Sequence, residues 1–324
     1  MYLPTGKSVA WFAVAFALLV IVLGAFVRLS NAGLSCPDWP TCYGKITWPE
    51  HHEISAANEA FPERPVETHK AWREQVHRIL AGGLILTTFG LTIWAWRRNR
   101  RIAVVMTAAS LLIVFQALLG MWTVTWKLKP IVVMAHLVGG LSTFCLLVYV
   151  ALRLTLAPGG RVDTAQLRRM AIVGIALVAL QIALGGWTSA NYAALACGTD
   201  FPTCLGQWWP ATDFREAFVL WRGIGVNYEG GVLDADARTA IQLTHRIGAI
   251  VVTGHLLGVA IVAMRRRFGA WGVALLIALT AQIALGISNV HYGLPLPIAT
   301  AHNAGASVLL FVLLGLVVRL RREP

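Results

Sequence analysis

Charge is scarce in this chain. Only 13% of its 324 residues are Asp, Glu, Lys or Arg, about half the share of an ordinary soluble domain. Apolar residues make up 57%, which excludes a disordered chain. Acid is scarcer than base: 15 Asp and Glu stand against 27 Lys and Arg, a net charge of +12. Such an excess can serve nucleic acid, an anionic surface or the cytoplasmic flanks of membrane helices. No nucleic-acid-binding motif is present. What is abundant is Leu, Val, Ala and Trp, the composition of a chain whose solvent is a bilayer.

Eight apolar runs are long enough to span about 30 Å of hydrocarbon: roughly 10–29, 76–96, 103–124, 132–154, 169–189, 240–264, 270–289 and 298–319. The first is too long for a cleavable signal segment and reads as a retained helix. Eight spans put both termini on one side. That side collects 15 basic residues, including Arg97, Arg98, Arg100, Arg101, Arg265, Arg266 and Arg267, against the acidic pair Asp163 and Glu323. The other side holds the remaining 12 basic and 13 acidic residues. The positive-inside rule then predicts cytoplasmic termini in a cell inner membrane.

The chain repeats itself. Residues 23–49, LGAFVRLSNAGLSCPDWPTCYGKITWP, are echoed by residues 184–210, LGGWTSANYAALACGTDFPTCLGQWWP. His77-Arg78-Ile79 is echoed by His245-Arg246-Ile247, Gln116–Gly120 by Gln282–Gly286, and Ala135-His136 by Ala301-His302. The offsets stay between 161 and 168 residues. Four spans per unit make the halves parallel repeats. The predicted fold is an all-α integral membrane protein, two four-helix bundles related by a pseudo-two-fold along the membrane normal. The halves are 1–158 and 159–324, with the junction in 155–168 where Ala157-Pro158-Gly159-Gly160 interrupts the helical pattern.

Four of nine histidines, His77, His136, His245 and His302, occupy matched places near the outer ends of their helices. An imidazole in a bilayer is costly unless it faces the bundle interior with a partner. Two neutral imidazoles on neighbouring helices suit the axial positions of a haem iron. Zinc would want three or four ligands, usually with a carboxylate nearby, and only Glu74 stands near. Nearby glycines would admit a flat ring, or simply pack helices closely. His255 is rotated by about 80° from His245 and reads as structural or cavity-lining. His51, His52, His69 and His291 read as exposed.

Cys36 with Cys42, and Cys197 with Cys204, lie in outer loops at equivalent places. A disulfide in each is the natural reading in an oxidising compartment; it either staples the loop or relays electrons. Cys145 sits about 900° from His136 on its helix and reads as apolar filling. The halves differ at Glu74, three residues before His77, whose counterpart reads as apolar, Ile241 or Gln242 depending on alignment. It could transfer protons beside a bound group or stabilise the helix dipole. Arg78, Arg246 and Arg28 are candidates to meet the outer surface or carboxylates, haem propionates among them.

The string Arg28-Leu29, then Ala32-Gly33-Leu34-Ser35-Cys36-Pro37-Asp38-Trp39-Pro40-Thr41-Cys42, then Glu74-x-x-His77-Arg78, His136, His245-Arg246 and His302, resembles the haem A synthase family, in its bacterial, cysteine-containing type. The resemblance covers nearly the whole chain. It implies an oxidoreductase that oxidises a methyl group of haem O to a formyl, giving haem A for cytochrome oxidase, with oxygen and an electron donor. It implies haem O as substrate between His77 and His136, haem b as cofactor between His245 and His302, and Glu74 as the functional carboxylate. It also implies a haem O synthase (farnesyltransferase) upstream, a quinol or other electron donor, and a possible homo-oligomer. The competing readings are a di-haem b electron-transfer protein without chemistry on the macrocycle, and a thiol oxidoreductase using the outer Cys pairs.

Overall fold

The computed structural model describes residues 6–157 and 165–321. Residues 158–164 of the expected junction lie outside the described residues, as do Arg322 and Glu323. Eight described helices are long and apolar enough to cross a membrane: α1 (Gly6–Leu29), α3 (Thr68–Arg98), α4 (Arg100–Thr125), α5 (Pro130–Thr155), α6 (Ala165–Ala190), α8 (Ala235–Arg265), α9 (Gly269–His291) and α10 (Leu296–Arg319). Two short helices, α2 (Ile54–Ala60) and α7 (Phe214–Ala217), lie in the connections from α1 to α3 and from α6 to α8. No named β-strand occurs among the described residues; Cys42 with Lys45 and Cys204 with Gln207 form isolated bridges.

The apolar runs locate every span but not its outer end. Helix α3 starts eight residues before its run, with the polar turn from Thr68 to Gln75, and α8 starts five residues early at Ala235. Local chemistry sets these ends. Asp234 caps α8 by accepting from the Ala237 N–H at 2.8 Å, and Asn99 caps α4 by accepting from Ile102 at 3.2 Å. Pro130 opens α5, where a missing N–H costs nothing.

Helix α1 packs on α3 and α5, and α4 closes the ring between α3 and α5. Helix α6 packs on α8 and α10, and α9 closes the second ring. The rings meet through α5 with α6, α1 with α10, and α5 with α10. Small residues let α1 approach its neighbours closely: Ala10, Ala13 and Ala17 are fully buried. Thr92 and Ser110 share a 2.8 Å hydrogen bond between α3 and α4. The outward surface is apolar, with Leu86, Leu111 and Ile250 exposed, as lipid-facing positions require. Cys145 packs against the core of both rings, which agrees with its reading as apolar filling.

Candidate functional site

Each of the four histidines rests against a glycine of the preceding spanning helix. A Cβ built on Gly24 of α1 would lie 2.8 Å from His77 Cε1 on α3. On Gly120 of α4 it would lie 3.4 Å from His136 on α5. On Gly185 of α6 and Gly286 of α9 it would lie 3.1 Å from His245 on α8 and from His302 on α10. His77 and His136 are within electrostatic reach of each other, and so are His245 and His302. Repeat-equivalent histidines also occupy matched positions along their helices. His77 is the tenth residue of α3 and His245 the eleventh of α8; His136 and His302 are the seventh of α5 and α10. No group of three or more His, Cys, Asp or Glu able to hold a metal ion occurs among the described residues.

Beside three of these rings lies a glutamine that the sequence reading did not assign to the site. Gln181 Nε2 donates to the His245 backbone carbonyl at 2.8 Å and stands 3.0 Å from its Nδ1. Gln282 Nε2 donates to the His302 carbonyl at 3.1 Å and stands 3.4 Å from its Nε2. Gln116, only 7% exposed, packs on Gly139 beside His136, with neither amide atom hydrogen-bonded. The signal was available: Gln181–Gly185 and Gln282–Gly286 are the same five residues, Gln-Ile-Ala-Leu-Gly.

Glu74 is held by two partners. Its Oε2 accepts from the Cys36 N–H at 2.9 Å, and its Oε1 pairs with Arg78 at 2.6 Å, one turn further along α3. The side chain is 4% exposed. Its counterpart is Gln242, whose Oε1 accepts from the Cys197 N–H at 2.6 Å. The counterpart is therefore a polar residue making the same bond, not an apolar one. Arg78 donates to the carbonyls of Asp38 and Thr41 at 2.7 and 2.6 Å. Arg246 donates to those of Asp200 and Thr203 at 2.9 and 2.8 Å. Both forks grip the cysteine loops.

Those loops are built alike. Cys36–Cys42 and Cys197–Cys204 are disulfides. Asp38 accepts from Tyr43 and Gly44 N–H groups at 2.6 and 2.8 Å and from the Thr41 hydroxyl; Asp200 accepts from Gly206 at 2.8 Å. Burial pushes the Asp38 carboxyl up, but these hydrogen bonds outweigh it and hold the group below the usual carboxylate range. Gly44 and Gly206 both take φ +75°, a left-handed turn that suits glycine. The loop between α1 and α3 reaches the one between α6 and α8: Arg64 forms a two-pronged ion pair with Glu229 at 2.9 and 3.1 Å.

The remaining residues fall outside this group. His255 bonds the Met170 carbonyl at 2.9 Å, a structural contact. His51, His52, His69 and His291 are exposed. Arg28 donates to the Ser189 carbonyl at 2.7 Å and lies over the Tyr192 ring.

Comparison with known proteins bears on this arrangement as a whole. Residues 7–314 match the family model described as "COX15-CtaA: Cytochrome oxidase assembly protein". A protein of Shewanella oneidensis named "Heme A synthase" is 45% identical over 302 residues, covering 92% of this chain and 91% of its own length. Proteins of the same name from Paracoccus denitrificans and Bacillus licheniformis are 29% and 25% identical, each over 94% of this chain and over 85% and 94% of their own lengths. The similarity thus runs from the first spanning helix into the last, through both cysteine loops and all four histidines, and the chain belongs to the haem A synthase family.

Proposed function

We propose that residues 1–158 form a half holding haem O as substrate between His77 and His136, and residues 159–324 a half holding haem b between His245 and His302. The activity is that of the family: an oxidoreductase that converts the haem O methyl to the formyl of haem A. The observation that carries the assignment is the four-fold seat of an imidazole on glycine, in two pairs at matched helix positions. The residues fit the group. His77, His136 and His302 each keep a buried Nδ1 without a hydrogen-bond partner. Neutral imidazoles are axial ligands for haem iron, and apolar bundle walls suit a macrocycle. Bound haem b supplies one-electron transfer.

The chain's own residues orient and enclose. Arg78 and Arg246 serve the two sites from behind, gripping the cysteine loop over each histidine helix. Glu74 is the proton-handling carboxylate of the substrate half, set between the Cys36 N–H and Arg78. The disulfides hold the loops closed over the bundle mouths. The contact pattern supports two parallel bundles related by a pseudo-two-fold along the membrane normal, because α1 with α10 is the counterpart of α6 with α5. Charge supports cytoplasmic termini and outer cysteine loops in the cell inner membrane. Haem O synthase would supply the substrate, a quinol or similar donor the electrons, and a homo-oligomer is compatible with the apolar outer face.

The likeness of the four seats favours one other reading, a di-haem b electron carrier; the exchange of Glu74 for Gln242 speaks against it. Extraction and chromatography of the purified protein's haems separates them. Haem O or A beside haem b supports the synthase. Haem b alone, at two per chain, supports the carrier, and no haem sinks both.

A further inference from the structure

The four seats follow one pattern with one exception. The outgoing helix carries Gln-x-x-x-Gly, the glycine under the ring: Gln116 and Gly120, Gln181 and Gly185, Gln282 and Gly286. The returning helix carries His-x-x-Gly, and this second glycine makes room for the glutamine: Gly139, Gly248 and Gly305. A Cβ there would fall 1.9 to 2.3 Å from the amide. In the His77 seat the first glycine persists as Gly24, but Val20 stands where the glutamine would be and Leu80 where its glycine would be. The engagement of the amides divides the halves further. Both glutamines of the second half bond the turn that bears their histidine. In the first half Gln116 is unbonded and the other slot has no glutamine.

We propose that Gln181 and Gln282 are positioning residues that restrain the helix turns bearing His245 and His302, and that the His77 seat, where Val20 and Leu80 stand in place of the glutamine and its glycine, is the one whose histidine would move off a bound haem. A hydrogen bond to the backbone turn that carries a histidine restrains where its ring sits. An iron with both axial positions held has no place for a diatomic molecule. The second-half pair would thereby keep both histidines on a bound haem b, and the His77 seat would let its histidine leave a bound haem O.

This rests on haem occupying both pairs, and the experiment separates the two claims. Full-length protein is purified, its haem counted, and carbon monoxide binding to the dithionite-reduced form read by difference spectroscopy. The wild type is expected to bind carbon monoxide at one haem per chain. Val20→Gln with Leu80→Gly is expected to cut that binding at least five-fold. Gln181→Leu and Gln282→Leu are each expected to raise it toward two haems per chain. Unchanged binding in all variants at wild-type haem content, or a wild type that binds at neither or both haems, overturns the proposal while leaving the haem assignment standing. A wild type without haem overturns the assignment itself. Should the double variant not fold, the two glutamine variants, apolar replacements in apolar helices, decide alone.

Discussion

Arg28 donates its hydrogen bond to the carbonyl of Ser189, the residue 161 positions on that holds Arg28's own place in the repeated sequence. Its guanidinium lies 4.4 Å from the centre of the Tyr192 ring. One side chain therefore ties the two halves at matched points. Arg28→Leu removes a charge-assisted hydrogen bond and a cation–π contact together, and is expected to cost about 2 kcal/mol. Thermal unfolding in detergent reads the loss. A melting curve unchanged from wild type would refute the tie.

Glu74 combines a structural bond with a charge, and Gln242 shows that the bond needs no charge. Glu74→Gln is expected to keep haem content and melting temperature close to wild type while lowering haem A formation at least ten-fold, within the range of a lost acid–base group. Glu74→Leu is expected to lose both, because the buried Cys36 N–H loses its acceptor and Arg78 its counter-charge. Full turnover in the glutamine variant would end the proton-transfer role.

The glycine seats give a graded test. Gly24→Ala brings a methyl to 2.8 Å from His77, and Gly185→Ala to 3.1 Å from His245. The first forces the ring to shift and the second asks for a few tenths of an ångström. Gly24→Ala is expected to disturb substrate haem binding more than Gly185→Ala disturbs haem b. Bound haem after purification, with the low-spin absorption bands, checks the order.

Asp38 makes the first cysteine loop sensitive to acid. Its carboxyl is depressed below an unfolded value near 3.9. The stabilisation is therefore complete above that value and is lost as pH falls through the lower folded one. The rate at which a mild reductant opens Cys36–Cys42 should rise below about pH 4 relative to a neutral-pH extrapolation. Asp38→Asn should raise the rate already at pH 7 and flatten the acid response. An acid response retained in that variant would assign it elsewhere.

Arg64 and Glu229 join the two long cysteine-bearing loops, and both are about a quarter exposed. Partial exposure limits the pair to about 1 kcal/mol. A double-mutant cycle of Arg64→Ala and Glu229→Ala should give a coupling of that size, shrinking as salt is raised from about 0.05 to about 0.5 M, which shortens the screening length about three-fold.

Much of this was legible in the sequence, because a bilayer imposes length and polarity on every span. All eight helices, both disulfides and both histidine pairs could be read that way. What stayed hidden depends on contacts between distant segments. Helices α3 and α8 run past their apolar stretches on polar turns that a hydropathy pattern ends too soon. Glu74 lies close to the His77 face by spacing alone, yet the Arg78 partner one turn along and the Cys36 N–H claim its oxygens. The glutamine slots needed the fold to be seen, since a glutamine in an apolar helix reads as an isolated polar residue until the glycine opposite is known. The bridge from Arg64 to Glu229 spans 165 residues and carries no local pattern at all.

The matched helix positions of the four histidines bear on any current between haems held there as proposed. With both pairs at one level, an electron passed from the His245–His302 pair to the His77–His136 pair would travel parallel to the membrane plane. The transmembrane potential, about 2.3 kcal/mol per charge for each 100 mV crossed, would then do no work on it. Exchange between the halves would be electrically silent, and it would proceed alike in an energised and a de-energised membrane.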